Sequence, residues 1–193
     1  LIEPPQKESG LNPPRLKSDV LIYSISCGNK MAFGEPRPSA EGRGEPIDNT
    51  FIIDSPGEYE IKGINISGIG DDENIMYVIE MDDIKIAHFG FLKKEPNNEK
   101  LELIGNPDVV FVPVGGLMGE LLDAEAAMKL INKMEPKAAI PMLYDMKGLK
   151  TKRAPLLNFI KESEAKNAPV PKLIIKKKDL IEEETKIVIL EKV

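Results

Sequence analysis

Apolar positions along the chain fall mostly into short runs bounded by turn residues, and only late in the sequence does a three-and-four spacing emerge. The first run, residues 18–24 (Ser-Asp-Val-Leu-Ile-Tyr-Ser), is continuously apolar at its centre and β-branched, the pattern of a strand covered on both faces. Six breakers between Gly34 and Pro46 make that stretch a surface connector. From Phe51 onward, residues 51–54, 59–61, 64–67, 75–80 and 84–88 predict short strands, the last two joined tightly through Met81-Asp82-Asp83, so this part reads as an antiparallel meander. Residues 109–112 form another apolar strand, with Pro113 tolerated at its end because it has no N–H to give a ladder.

Helical periodicity appears at Ala127, Leu130, Ile131 and Met134, with Asp123 as N-cap, Glu125 in the first turn and Pro136 as the stop. Residues 137–141 return to strand. A second helix is predicted with Pro155 in its first turn, burying Leu156, Phe159 and Ile160, and residues 172–175 and 187–190 are predicted as final strands. Strands alternating with helices after a meander imply a layered α/β domain.

With 193 residues and 41% hydrophobic content there is material for one substantial core, and the chain is read as a single domain, residues 1–193. A net charge of -6 argues against a surface built to neutralise phosphates, so nucleic acid is not an expected partner. No apolar run approaches a membrane span of roughly 18 residues. One cysteine excludes an intramolecular disulfide, and with eight methionines the expectation is a reducing, cytoplasmic setting.

The catalytic inventory is small: one histidine, His88, and one cysteine, Cys27. A catalytic zinc centre draws on about four N, S or O ligands, two or three of them histidines, which one His does not supply. His88 has Asp82 and Asp83 near it in sequence for a Ser-His-Asp arrangement, although turn aspartates ordinarily serve the turn. Cys27 and His88 lie at the ends of predicted core strands, where α/β folds gather active groups, and so form a candidate nucleophilic dyad; against it, a buried cysteine is usually inert packing. Glu58 and Glu60 share one strand face, ordinarily a solvated one. Gly115-Gly116 fits neither dinucleotide nor P-loop spacing and reads as a tight turn, while Lys176 to Lys178 is balanced by Glu182 to Glu184 downstream.

Five segments in order carry a resemblance: Pro56-Gly57-Glu58-Tyr59-Glu60-Ile61-Lys62-Gly63-Ile64, Ala87-His88-Phe89-Gly90, Val112-Pro113-Val114-Gly115-Gly116, Asp123-Ala124-Glu125-Ala126-Ala127, and Pro136-Lys137 leading to Ile140-Pro141-Met142. Together they resemble the metallo-β-lactamase superfamily, more narrowly its bacterial branch of predicted zinc-dependent hydrolases related to ascorbate-6-phosphate lactonase. That resemblance implies an αββα layered sandwich and a metal loop of the form His-any-His-any-Asp-His after a central strand. Here the loop reads Ile25, Ser26, Cys27, Gly28, Asn29, Lys30, so Ile25 and Cys27 replace the first two histidines, Asn29 the aspartate and Lys30 the last histidine. The loop before Asn74, which carries a histidine in active relatives, is shortened to Gly70-Asp71-Asp72-Glu73-Asn74. Phe91 stands at the bridging aspartate, His88 at the leading, non-ligand histidine of the same segment, and Leu143 at the last ligand.

The resemblance thus implies a vestigial pocket of Ile25, Cys27, Asn29, Lys30, His88, Phe91 and Leu143, no metal and no other cofactor. Apolar groups at Ile25, Phe91 and Leu143 oppose a dication, Lys30 brings positive charge, and only Cys27 and, weakly, Asn29 retain donor character. The expected function is that of a non-catalytic binding or scaffold domain. The alternative is a hydrolase of the same superfamily with an unrecognised metal site or a Cys27/His88 nucleophilic site. The chain opens on Leu1, with Ile2-Glu3-Pro4 where relatives have a Thr-Asp-Pro turn after two further strands. The expectation is that those strands are missing and that the exposed sheet edge is covered by a second copy or by an N-terminal fragment of the same protein.

Overall fold

Strand alternation sends successive apolar side chains to opposite faces of a sheet, and in this chain both faces are covered. The computed structural model describes residues 1–5, 9–11, 17–25, 50–71, 73–117, 119–166, 168–180 and 184–191. Two short strands, β1 (Val20–Ile22) and β2 (Phe51–Ile53), pair in parallel. A seven-stranded sheet follows in sequence order: β3 (Gly57–Ile61), β4 (Ile64–Asp71), β5 (Asn74–Met81), β6 (Ile84–His88), β7 (Val109–Pro113), β8 (Ala138–Met142) and β9 (Lys186–Ile187). The strands from β3 to β6 are antiparallel and those from β6 to β9 parallel, the expected meander leading into helix-connected units. The helices α1 (Asn98–Ile104), α2 (Ala124–Met134) and α3 (Leu156–Ser163) occupy the crossovers.

β5 shows how the layers assemble. Its Met76 and Val78 join Ala87, Val110, Val112 and Ala139 beneath the helices, against Leu101 and Ile104 of α1, Leu130 and Ile131 of α2 and Phe159 of α3. Ile75, Tyr77 and Ile79, one step out of phase, face Ile22 and Ile53 of the small sheet. Further along, Val109, Ala138 and Ile140 turn the same way and are covered by Val188 and by Val170, Leu173 and Ile175. The architecture is therefore a mixed α/β fold with a large sheet between helices and a smaller sheet; among the described residues all three helices pack on one face.

Local chemistry explains the boundaries. Asp82 and Asp83 both have positive φ (52° and 60°), as do Lys62 and Gly63 (54° and 77°), making two-residue hairpin turns whose twist matches the strands. Asp123 caps α2 by accepting from Ala126 N at 2.9 Å, and Glu135 ends it in the left-handed region just before Pro136. Pro155 occupies the N-cap of α3 rather than its first turn, and Phe159 anchors that helix in the core.

The structure departs from the pattern at several further points. Helix α1 was not expected from the pattern; it has two buried apolar residues, Leu101 and Ile104, and an Asn97 cap that accepts from Lys100 N at 3.0 Å. Residues 172–175 are not a strand: Leu173 and Ile175 lie on the sheet face while Ile174 is 67% exposed, so their alternation reflects one-sided burial without a hydrogen-bond ladder. The edge strand is the short β9, with a single bridge from Val170 to Leu190 beside it. Gly115 and Gly116 are required by crowding rather than by a turn: a Cβ would stand 2.0 Å from Leu143 O and 2.1 Å from Leu121 O.

Removing the cap on α2 tests the local reading. Asp123→Ala is expected to lower unfolding free energy by about 1 kcal/mol in urea denaturation without changing the transition's slope; no loss would mean the helix is held by packing alone.

Candidate functional site

The parallel strands β6, β7 and β8 all end at one edge of the large sheet, where antiparallel β5 begins; Tyr77 pairs with His88, His88 with Phe111, and Pro113 with Met142. Open α/β sheets collect their functional groups at such an edge. The exit of β1 reaches the same edge. Ile75 N donates to Ser24 O at 2.7 Å, and the buried Tyr77 hydroxyl donates to Tyr23 O at 2.9 Å, joining the small sheet to the large one. Burial pushes the Tyr77 phenol well above its ordinary range, so it remains a donor.

Asn74 organises the junction. Its Oδ1 accepts from Phe91 N at 2.7 Å and its Nδ2 donates to Phe89 O at 3.1 Å, fixing the turn that carries Phe91. Gly90, at the centre of that turn, has φ +59°, and a Cβ there would lie 2.4 Å from Asn74 Oδ1 and 2.6 Å from Ser24 Cβ. Ser24 N donates to the Glu3 carboxylate, placing the Ile2-Glu3-Pro4 turn against the end of β1. Sequence reasoning singled out neither Asn74 nor Glu3 as a site residue. Both act on backbone groups distant in sequence, and only the position of Glu3 at the Thr-Asp-Pro turn hinted at a role.

The expected pocket residues separate into two groups. Cys27, Asn29 and Lys30 lie outside the described residues. Of the others, Ile25 follows Ser24 at the junction, Phe91 is buried at 4% exposure, and Leu143 follows β8 with a left-handed φ of 58°, its carbonyl pressed against Gly115. The chain thus brings Ile25 and Phe91 to one junction and Leu143 to the same sheet edge. None of the three offers a metal donor atom. Among the described residues no group of three or more His, Cys, Asp and Glu could hold a metal ion, and the fully buried Ser24 Oγ has no hydrogen-bond partner. The described side chains therefore do not fit a zinc centre.

His88 is buried on the face shared with Ile84 and Ile86, 5.8 Å from the Phe111 ring, and its Nδ1 accepts from Gly90 N at 3.2 Å. Burial lowers its pKa to about 4, which makes the imidazole neutral and a weak base. Asp82 and Asp83 stand at the other end of β6, about 17 Å away along the strand, so the Ser-His-Asp arrangement with these residues is excluded. Glu58 and Glu60 are both exposed, and Glu58 accepts from Ser67 Oγ at 2.7 Å. Lys177 reaches both Asp108 oxygens at 2.9 and 3.0 Å, while Glu182 and Glu183 of the downstream acidic run lie outside the described residues.

Two measurements probe this junction. Gly90→Ala is expected to cost about 3 kcal/mol of stability, from the left-handed backbone and the clash with Asn74 and Ser24. His88 makes stability pH-dependent. Because its folded pKa is depressed, the unfolded chain takes up the proton first, so stability is lost as pH falls from 6.5 toward about 4. Urea titrations across that window should show a loss of up to roughly 3 kcal/mol that His88→Gln removes; identical pH slopes for the two proteins would contradict the buried neutral imidazole.

Comparison with known proteins agrees with this architecture. No curated protein is matched. A candidate Zn-dependent hydrolase of the metallo-β-lactamase superfamily from Thermotoga maritima is similar in structure, with a TM-score of 0.73 and 28% identity over 92% of this chain and 84% of that one. Igni18, a metallo hydrolase from Ignicoccus hospitalis KIN4/I, shares the fold with a TM-score of 0.57 and 16% identity over 92% and 78% of the two chains. No helix among the described residues is long and apolar enough to cross a membrane. Residues 1–143 match the β-lactamase superfamily domain, and the chain belongs to that family.

Proposed function

We propose that this chain is a non-catalytic member of the metallo-β-lactamase superfamily, acting as a binding or scaffold domain and nearest in motif to the branch related to ascorbate-6-phosphate lactonase. The observation that carries this reading is the apolar character of the sheet edge where chemistry would be expected. Ile25 follows Ser24 and Phe91 follows Gly90, which pack together there, and Leu143 lies on the same edge. Hydrocarbon at these points, buried at Phe91 and partly buried at Ile25 and Leu143, offers a metal ion no charge compensation and no coordination. Without a metal, the superfamily's means of activating water are missing.

The second reading, hydrolysis through Cys27 and His88 or through a metal set that includes Cys27, is favoured by the hydrolase descriptions of the structural neighbours. Against its dyad form stands the burial of His88, whose imidazole is a poor proton acceptor at neutral pH. Elemental analysis of protein purified without chelators separates the two. The expected result is far less than one equivalent of zinc, iron or manganese per chain, with slow thiol labelling of Cys27. A stoichiometric metal that disappears in Cys27→Ser, or a rapidly labelled thiol of depressed pKa, would overturn the non-catalytic reading.

A further inference from the structure

The face of the large sheet turned away from the helices is covered in two places. The small sheet lies over one of them: Phe51 of β2 meets Tyr59 of β3 edge-on, ring centroids 6.3 Å apart, and Ile2, on the other side of β1, packs in the same cluster as Ile86 of β6. Residues 170–175 lie over the other, with Leu173 and Ile175 against Val109, Ala138 and Ile140. Beside them a cleft of about 520 Å³ opens over Ile84, Ile86, Val109, Phe111 and Ile140, an apolar floor drawn from β6, β7 and β8. Ile86 packs with both groups, so the cleft lies where the two covers stop short of each other.

Both covers carry unused backbone. Leu1 O and Glu3 N bond to Ile22 of β1, which by strand alternation turns the N–H and C=O of Ile2 away from β1. Among the described residues neither group has a partner. Residues 172–175 alternate in burial as a strand does, yet among the described residues their backbone joins no ladder. Extended chain with unpaired N–H and C=O groups is a template for a further strand. We propose that the cleft docks an extended strand of a separate polypeptide, apolar at alternate positions, which extends the small sheet from the Ile2 edge across the cleft toward residues 172–175. Its inward side chains rest on Ile86, Phe111 and Ile140, at the spacing of about 10 Å usual between packed sheets. Main-chain bonds then supply affinity and the floor selects the alternation. A second copy of this chain does not supply the strand: among the described residues the edge strands β3 and β9 commit Tyr59, Ile61 and Ile187 to their own core. None of the residues involved is one on which the non-catalytic reading rests.

The test is a titration of the 193-residue chain with the peptide acetyl-Lys-Val-Thr-Val-Thr-Val-Lys-amide, followed through backbone amide signals and hydrogen exchange. Saturable shifts are expected at Ile2, Ile86, Phe111 and residues 172–175, with exchange of the Ile2 amide slowed about tenfold at saturation. Two comparison peptides separate the ladder from the floor: the same sequence N-methylated at its five central residues, and acetyl-Lys-Val-Val-Thr-Thr-Val-Lys-amide, in which the alternation is broken. Each is expected to bind about tenfold more weakly. Phe111→Lys is expected to abolish the shifts, its urea midpoint being measured alongside, and the comparison peptides test the same claim on the unaltered chain. Absence of saturable shifts, shifts centred on another surface, or equal binding of either comparison peptide overturns the inference. Sedimentation of the chain alone tests the source of the strand. A monomer is expected; a concentration-dependent dimer that protects the same amides would assign the cleft to a second copy and overturn the separate strand.

Discussion

The structure depends on how the end of β1 is fastened to the large sheet. Two backbone carbonyls in succession, Tyr23 O and Ser24 O, accept from Tyr77 and Ile75 of β5. On the neighbouring turn, the Asn74 side chain satisfies the backbone of Phe89 and Phe91 at once. Each of these groups is shielded from bulk water, and leaving one unpaired would cost about 1–3 kcal/mol. Gly90 is the consequence: the strand end, the amide and the turn approach so closely that no side chain fits between them. The two sheets are thus locked at the edge where the parallel strands end, and their relative position elsewhere follows from the Ile22, Ile53, Ile75 and Tyr77 packing behind the lock.

Most of the framework was legible because the strands bury both faces. In β5, β7 and β8 the apolar runs have no polar interruptions, which identifies central strands whatever covers them. The α2 helix was legible because four buried positions and two terminal signals agree. What failed was local evidence too sparse or ambiguous to decide. α1 has seven residues and two buried ones, fewer than a periodicity needs to stand out. Residues 172–175 carry a strand's alternation for a different physical reason, since a chain lying across a sheet face also turns alternate side chains inward. Pattern reports which side of a segment is buried, and it is silent on what the backbone bonds to.

The candidate site was legible in a narrower sense. The motif alignment pointed to Ile25, Phe91 and Leu143, and the fold carries all three to one sheet edge. The residues that hold this edge together, Asn74 and Glu3, could not be read in the same way. Their partners are backbone groups of Phe89, Phe91 and Ser24, and a side chain that bonds to a main chain leaves no complementary residue in the sequence to betray it. Gly115 illustrates the same gap: the sequence suggests a turn, whereas the coordinates show a glycine demanded by the Leu143 carbonyl passing over it.

Stability and chemistry pull in opposite directions at such an edge. A metal centre gathers several polar or charged side chains in one place, and without the ion their mutual repulsion and lost hydration weigh against the fold. An apolar side chain there acts the other way. Phe91, almost wholly removed from water, is worth on the order of 2 kcal/mol of burial whether or not anything binds nearby. Leu143, by contrast, keeps a left-handed backbone that disfavours leucine by about 1 kcal/mol. Its carbonyl is trapped over Gly115, so the backbone at this position is set by the packing of β7 against β8 and not by the side chain it carries. A fold built this way can exchange the groups at its edge while the scaffold beneath remains in place, and the chemistry of the exchanged groups then decides what the edge can bind.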